Sequence, residues 1–197
     1  MRIAENIEML EILQDKGTLH LTLIWDDNEA VLFDTGLPGQ LDLIRAAVEN
    51  AGVPFERIKK VILTHQDMDH VGCAKLFSEQ GVELFAHEDE AAYIQGDKMP
   101  VKLAALKERL PELSAEGRAF YERLSEGAKN HYVKIDRLLK DGEILPFCGG
   151  MKIIHTPGHT PGHIAILLQS QNVLVAGDAA NIDKSGILSG AEGVNIT

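Results

Sequence analysis

The sequence predicts an α/β sandwich, two packed sheets with helices and a polar site along one edge of the sheets. Two observations carry this. Short apolar runs of strand length occur in both halves, and in the first half they alternate with segments of helical periodicity. Three polar knots each end such a run: Thr64-His65-Gln66-Asp67-Met68-Asp69-His70, His155-Thr156-Pro157-Gly158-His159-Thr160-Pro161-Gly162-His163, and Gly177-Asp178. With 197 residues, 45% of them hydrophobic, the chain can build one domain with a sizeable core, and we read residues 1–197 as a single domain.

Taken in order, residues Asn6 to Leu13 read as a first strand. Leu19 to Trp25 and Ala30 to Phe33 form a hairpin across the turn residues Asp26-Asp27-Asn28. It runs into Asp34-Thr35-Gly36. Leu41, Ile44, Ala47, Val48 and Ala51 recur at helical spacing, with Gly52 as the stop. Val61 to Leu63 is a buried strand that delivers the first knot. A helix over Val71 to Gln80 and a strand over Val82 to Ala86 follow, and a short helix begins at His87-Glu88-Asp89-Glu90. Residues 99–130 differ in texture, being rich in Lys, Arg, Glu, Leu and Ala. They predict one or two amphipathic helices, a cap-like insertion over the sheet edge whose charges form a solvated face.

Strand signals then resume over Tyr132 to Leu139, Ile144-Leu145 and Met151 to Ile154, with turns at Asp141-Gly142 and Cys148-Gly149-Gly150. Ile164 to Leu168 and Val173 to Ala176 form a hairpin that delivers Gly177-Asp178. After Asn181 the chain is rich in Gly and Ser, and no further periodic element is expected.

Composition narrows the function. The formal net charge of −11 argues against nucleic acid or an anionic membrane as partner, and no apolar stretch approaches a membrane span. The N-terminus lacks the blocks of a signal peptide, and Cys73 and Cys148 make no disulfide framework, so a cytoplasmic location is expected. Both cysteines read as packing residues.

Imidazole and carboxylate are the ligands that divalent metals take, and a loop at a strand end can fold several toward one point. His159 stands on a Pro/Gly loop where no regular helix forms, well placed as a ligand. His155, four residues before it, reads as a strand-end residue, and His163 as a structural partner. Asp178 reads as a metal residue, and Asp34 as the support of a ligand His through its other ring nitrogen. His87 could face the pocket without ligating. His20 and His131 have no motif around them and are expected to be without function.

The set Leu63-Thr64-His65-x-Asp67-x-Asp69-His70-x-Gly72, Thr156 to His163 and Ala176-Gly177-Asp178, with Asp34-Thr35-Gly36, resembles the metallo-β-lactamase-fold hydrolase superfamily over nearly the whole chain. The resemblance implies a four-layer αββα sandwich with one or two metal ions, zinc in most members, at the open edge between the sheets. Carried over residue by residue, His65, Asp67 and His159 would hold one metal and Asp69 and His70 the other, with Asp178 bridging. Asp69 would also orient the metal-bound hydroxide that attacks a small ester, lactone, thioester or amide, with lactones the favoured class.

Two departures from the family stand out. Its pattern is His-x-His-x-Asp-His, whereas position 67 here is Asp67, a harder ligand that tilts the first site toward iron or manganese. No His follows His163, where the family completes its second site. The expectation is therefore either a chain lacking C-terminal elements, whose unpaired sheet edge would invite a homodimer, or a second site that is incomplete or borrows a ligand. These departures sustain two other readings: an iron-dependent oxidoreductase of the same superfamily, and a non-catalytic ligand-binding or sensing member with a degenerate site.

Overall fold

The structure is a computed structural model that describes residues 1–14, 17–182 and 188–190, the last three and residues 181–182 by their backbone. The first half winds a seven-stranded sheet in strict chain order. Four strands, β1 (Arg2–Ala4), β2 (Ile7–Gln14), β3 (Gly17–Trp25) and β4 (Ala30–Phe33), pair antiparallel. Three more, β5 (Ile58–Ile62), β6 (Glu83–His87) and β7 (Arg137–Leu139), continue it parallel. Parallel neighbours need crossovers, and helices supply them. α1 (Leu41–Asn50) joins β4 to β5, while α2 (Met68–Val71) and α3 (Ala74–Glu79) join β5 to β6. α4 (Glu88–Ile94), α5 (Val101–Glu108) and α6 (Ala115–Lys129) lie between β6 and β7.

The second half builds an antiparallel sheet in the order β11-β10-β9-β8, from β8 (Ile144–Leu145), β9 (Met151–His155), β10 (Ile164–Leu168) and β11 (Val173–Val175). The two sheets and their helices are the sandwich that the sequence predicts. A small ribbon follows, β12 (Ala180–Ile182) pairing antiparallel with β13 (Leu188–Gly190), where no periodic element was expected. Residues 191–197 lie outside the described ones. Among the described residues no helix is long and apolar enough to cross a membrane.

Strand alternation divides the apolar residues between two cores. On β4 all four residues are buried, because each face has its own cover. Ala30 and Leu32 join a cluster with Ile44 and Val48 of α1 and Phe77 of α3. Val31 and Phe33 point the other way and pack with Met151, Ile153, Ile164 and Ile166 of the smaller sheet. β6 splits likewise, with Leu84 and Ala86 under the helices and Phe85 between the sheets.

Two expected elements differ. The helix predicted over Val71 to Gln80 is two helices, broken at Gly72-Cys73. A Cβ on Gly72 would stand 2.4 Å from the Leu37 carbonyl carbon and 2.5 Å from the Gly36 oxygen, so the chain there is pressed against the Asp34-Thr35-Gly36 loop. The strand predicted over Tyr132 to Leu139 contracts to Arg137–Leu139. Its earlier backbone groups are taken elsewhere: Val133 N–H donates to the Ile94 carbonyl and Ile135 N–H to Gln95 Oε1.

The Gly72 contacts are with backbone atoms that cannot swing aside. Gly72→Ala should therefore destabilise the fold by about 1–3 kcal/mol, measured as a lower midpoint of urea denaturation with an unchanged slope.

Candidate metal centre

The knots meet at the ends of strands β4, β5, β9 and β11. Asp34 follows β4 with φ of +63°, a left-handed conformation rarely taken by a non-glycine residue. That turn aims its carboxylate back across the end of β5. Asp34 Oδ1 accepts from the Thr64 backbone N–H at 2.7 Å, and Oδ2 from the Thr64 hydroxyl at 2.8 Å and from His70 Nδ1 at 2.9 Å. The Thr64 hydroxyl, its proton given to Asp34, lies 3.0 Å from His65 Nδ1 and accepts from it. One buried carboxylate thus fixes the tautomer of both imidazoles and leaves each Nε2 free as a lone-pair donor. The support expected of Asp34 is what the structure shows.

The free nitrogens converge. His65 Nε2 is 3.2 Å from Asp67 Oδ2, and His159 Nε2 is 2.8 Å from the same oxygen. Asp178 faces them from beyond β11, with Oδ2 3.9 Å from His65 Nε2 and 3.5 Å from His159 Nε2. Its other oxygen, Oδ1, lies 3.4 Å from His70 Nε2, and Asp69 Oδ2 lies 3.8 Å from that nitrogen. All six residues singled out in the sequence are brought together. Asp178 spans the two groups, one oxygen toward each.

The donor set fits a cation. His65, Asp67, His159 and Asp178 each place a ligand atom within 4.8 Å of all the others. The Lys102 ammonium already reaches Asp67 Oδ2, so a positive group has a place there. Burial would lower the His70 pKa, yet Asp34, Asp178 and Asp69 push it up to about 9. Burial would raise the Asp67 carboxyl, but His65 and Lys102 hold it well below the usual carboxylate range. The field at the centre favours positive charge.

His163 holds the frame. Burial, then the neighbouring His65, pushes its pKa down to about 3, so the ring is neutral. Its Nδ1 donates to the Thr156 hydroxyl at 2.8 Å, and its Nε2 accepts from the Asp178 backbone N–H at 3.0 Å. His155 ends β9, as expected. His87 lies outside the four-residue group: its Nδ1 accepts from the Asp89 N–H at the start of α4, and its ring stacks on His155 at 4.1 Å. His20, set aside in the sequence for want of a motif, lines a cavity of about 460 Å³ with Thr22, Asp69, His70 and Asp178.

Three residues were missed. Glu90 on α4 is fully buried and clamps the two ligand loops: Oε1 accepts from Gln66 N–H at 2.8 Å and Oε2 from Gly162 N–H at 2.7 Å. Burial raises its pKa against those bonds. Gln66 carries the link onward, its Oε1 accepting from Val101 N–H at the start of α5. Lys102 is the third, an exception to the solvated face expected of residues 99–130. The signal available for Glu90 was an acidic residue inside the apolar pattern of α4, next to buried Ala91 and Ile94.

Fold and centre together define the class: an α/β sandwich carrying a His/Asp metal-binding edge. The chain belongs to the metallo-beta-lactamase superfamily, whose sequence profile matches residues 20–194. It is 34% identical over 155 residues to the probable metallo-hydrolase YflN of Bacillus subtilis, covering 76% of this chain and 54% of that one. It is 31% identical over 182 residues to the hydroxyacylglutathione hydrolase GloC of Haemophilus influenzae, covering 88% and 71%. The crystal structure of a metallo-beta-lactamase family protein from Thermus thermophilus superposes with a TM-score of 0.68 at 27% identity, over 91% of this chain and 61% of that one. The chain thus spans little more than half the length of the Bacillus relative.

Two outcomes check the frame. Asp34→Ala should weaken metal binding about 10–100-fold, read by competition with a chelator of known affinity. Glu90→Ala strands the N–H groups of Gln66 and Gly162, and should lower stability by about 2–4 kcal/mol in thermal or urea unfolding.

Proposed function

We propose that this chain is a metal-dependent hydrolase that cleaves a small ester, lactone, thioester or amide. The observation that carries the reading is the Asp178 carboxylate set between two imidazole groups, one oxygen toward His65 and His159 and the other toward His70. The hydrolase names borne by the two relatives agree with it.

In this reading His65, Asp67 and His159 would hold one divalent ion and Asp69 and His70 a second, zinc first among the candidates, with Asp178 serving both. When bound, such ions polarise a carbonyl and make a water acidic near neutral pH. The chain's own residues do the rest. Asp69, at the first turn of α2 and half exposed, is free to accept a proton from the attacking water and to aim its lone pair. Asp34 and Thr64 accept from the two Nδ1 atoms, which turns both Nε2 atoms toward the ligand group. The reaction needs no protein nucleophile.

Asp67 matters most for which metal is held. A carboxylate in place of imidazole adds a negative charge to the first ligand group and makes it harder. Elemental mass spectrometry of the purified protein should find about two metal ions per chain, falling toward one in Asp67→Ala. Asp69→Ala should lower kcat on an ester or thioester by at least about a hundredfold, with the ion held by His65, Asp67 and His159 retained. Dominant iron together with oxygen consumption would replace this reading with the oxidoreductase one.

A further inference from the structure

The helices of residues 99–130 leave a cleft beside the metal centre. α5 and α6 pack on one another, and the residues they bury are Leu103 and Ala128. Between them and the loop that follows β5 lies a cavity of about 440 Å³. Pro100, Leu103 and Leu106 line it from one side, Leu124 and Ala128 from another, and Met68 from the floor. The spacings are helical: Leu103 and Leu106 share a face of α5, and Leu124 and Ala128 a face of α6. An apolar cleft of this size that leaves Leu124 44% exposed is not a closed core.

The inner end of the cleft is the metal centre itself, since Asp67 and Asp69 belong to its wall. Lys102 stands at that end. It lines the cleft, and its ammonium reaches Asp67 and lies 3.3 Å from His159 Nε2. The cleft is therefore an apolar channel whose inner end carries one ammonium, paired with Asp67, beside the candidate centre. That is the complement of a carboxylate carrying a hydrocarbon tail.

We propose that the α5–α6 cleft is the acyl subsite, and that the substrate is an ester or thioester with a linear apolar acyl chain. The assignment rests on the hydrolase reading above and adds the substrate class to it. Water's oxygen bonds to the acyl carbon as the bond to the alcohol oxygen or thiol sulfur breaks, and a proton passes to that leaving atom. The product is then a fatty carboxylate with its tail in the cleft and its head at the Lys102 end. An apolar chain on the alcohol side would leave no carboxylate on the tail, and so would not use Lys102.

The probes are octanoate, octanol and acetate, titrated calorimetrically into the metal-loaded protein, alongside hydrolysis of acetyl, butyryl, hexanoyl and octanoyl esters of one phenol. Octanoate should bind at least about tenfold more tightly than acetate, and more tightly than octanol. Leu124→Glu, at an exposed position that should not disturb folding, should abolish that preference and the rise of kcat/KM with chain length. Its metal content and unfolding midpoint should match those of the unsubstituted protein. Lys102→Met should bring octanoate down to octanol. Hydrolysis with no chain-length preference, or a preference untouched by Leu124→Glu, overturns the subsite and leaves the hydrolase reading standing. Octanoate binding with no hydrolysis of any ester overturns the hydrolase reading, and with it the assignment of the cleft to a substrate.

Discussion

The centre depends on one buried carboxylate. Asp34 leaves β4 in a left-handed turn and accepts three hydrogen bonds, from the Thr64 backbone, the Thr64 hydroxyl and His70. Burial works against its charge, and His70 first among its neighbours holds the carboxyl below its ordinary pKa. A carboxylate without those donors would protonate or leave the interior. With them it stays charged and sets the proton positions on His70 and, through Thr64, on His65. The surrounding loop is built to keep it there. Thr35 accepts from the Cys73 N–H and donates to the His70 carbonyl, so the turn that carries Asp34 is tied to the helix that carries His70.

The two halves of the ligand set come from different sheets, and something must hold them in register. Apolar packing between Phe33, Ile62 and Phe85 on one side and Ile153, Ile164 and Ile166 on the other brings the sheets together, but such contacts have no direction. Direction comes from polar bonds at the rim. Ile164 N–H donates to the Thr64 carbonyl, and Glu90 accepts from the Gln66 and Gly162 backbones at once. Gly162 must be glycine for this, because a Cβ there would stand 2.5 Å from the Glu90 nitrogen. His163, two bonds further in, sets the Asp178 backbone. Each of the three polar knots is thus held by a residue that takes no part in the ligand set.

The residues of the candidate centre were the legible ones. His65, Asp67, Asp69, His70, His159 and Asp178 sit beside apolar runs in a pattern with few structural uses, and strand ends project from the sheet edge. The frame that orients them was harder to read. Glu90 sits in an ordinary helical segment and Lys102 in a charged one, and their partners are far away in the chain. Backbone bonding diverted by tertiary contacts also escaped, as in the stretch before Arg137, where Val133 and Ile135 bond to α4 and its end instead of a strand. Local pattern reports which residues want burial, while the partner of a buried polar group is a property of the fold.

Charge balance joins the site to the helices beside it. Asp34, Asp67, Asp69 and Asp178 crowd around three imidazoles, two of them oriented through Asp34 and Thr64. Within reach of Asp67 the chain supplies Lys102 as a cation. Four carboxylates against so little positive charge would repel one another in a low-dielectric rim, unless cations offset them. Part of the formal −11 therefore belongs to this centre and says nothing of the outer surface. Polar bonds also place α5 at its start, with Gln66 receiving the Val101 N–H and Asp67 the Lys102 ammonium. The helix owes its position to the ligand loop more than to apolar packing, since Leu103 is its one buried residue. Substitutions in that loop and in α5 should accordingly be read together, since each supplies the other's hydrogen-bond partners.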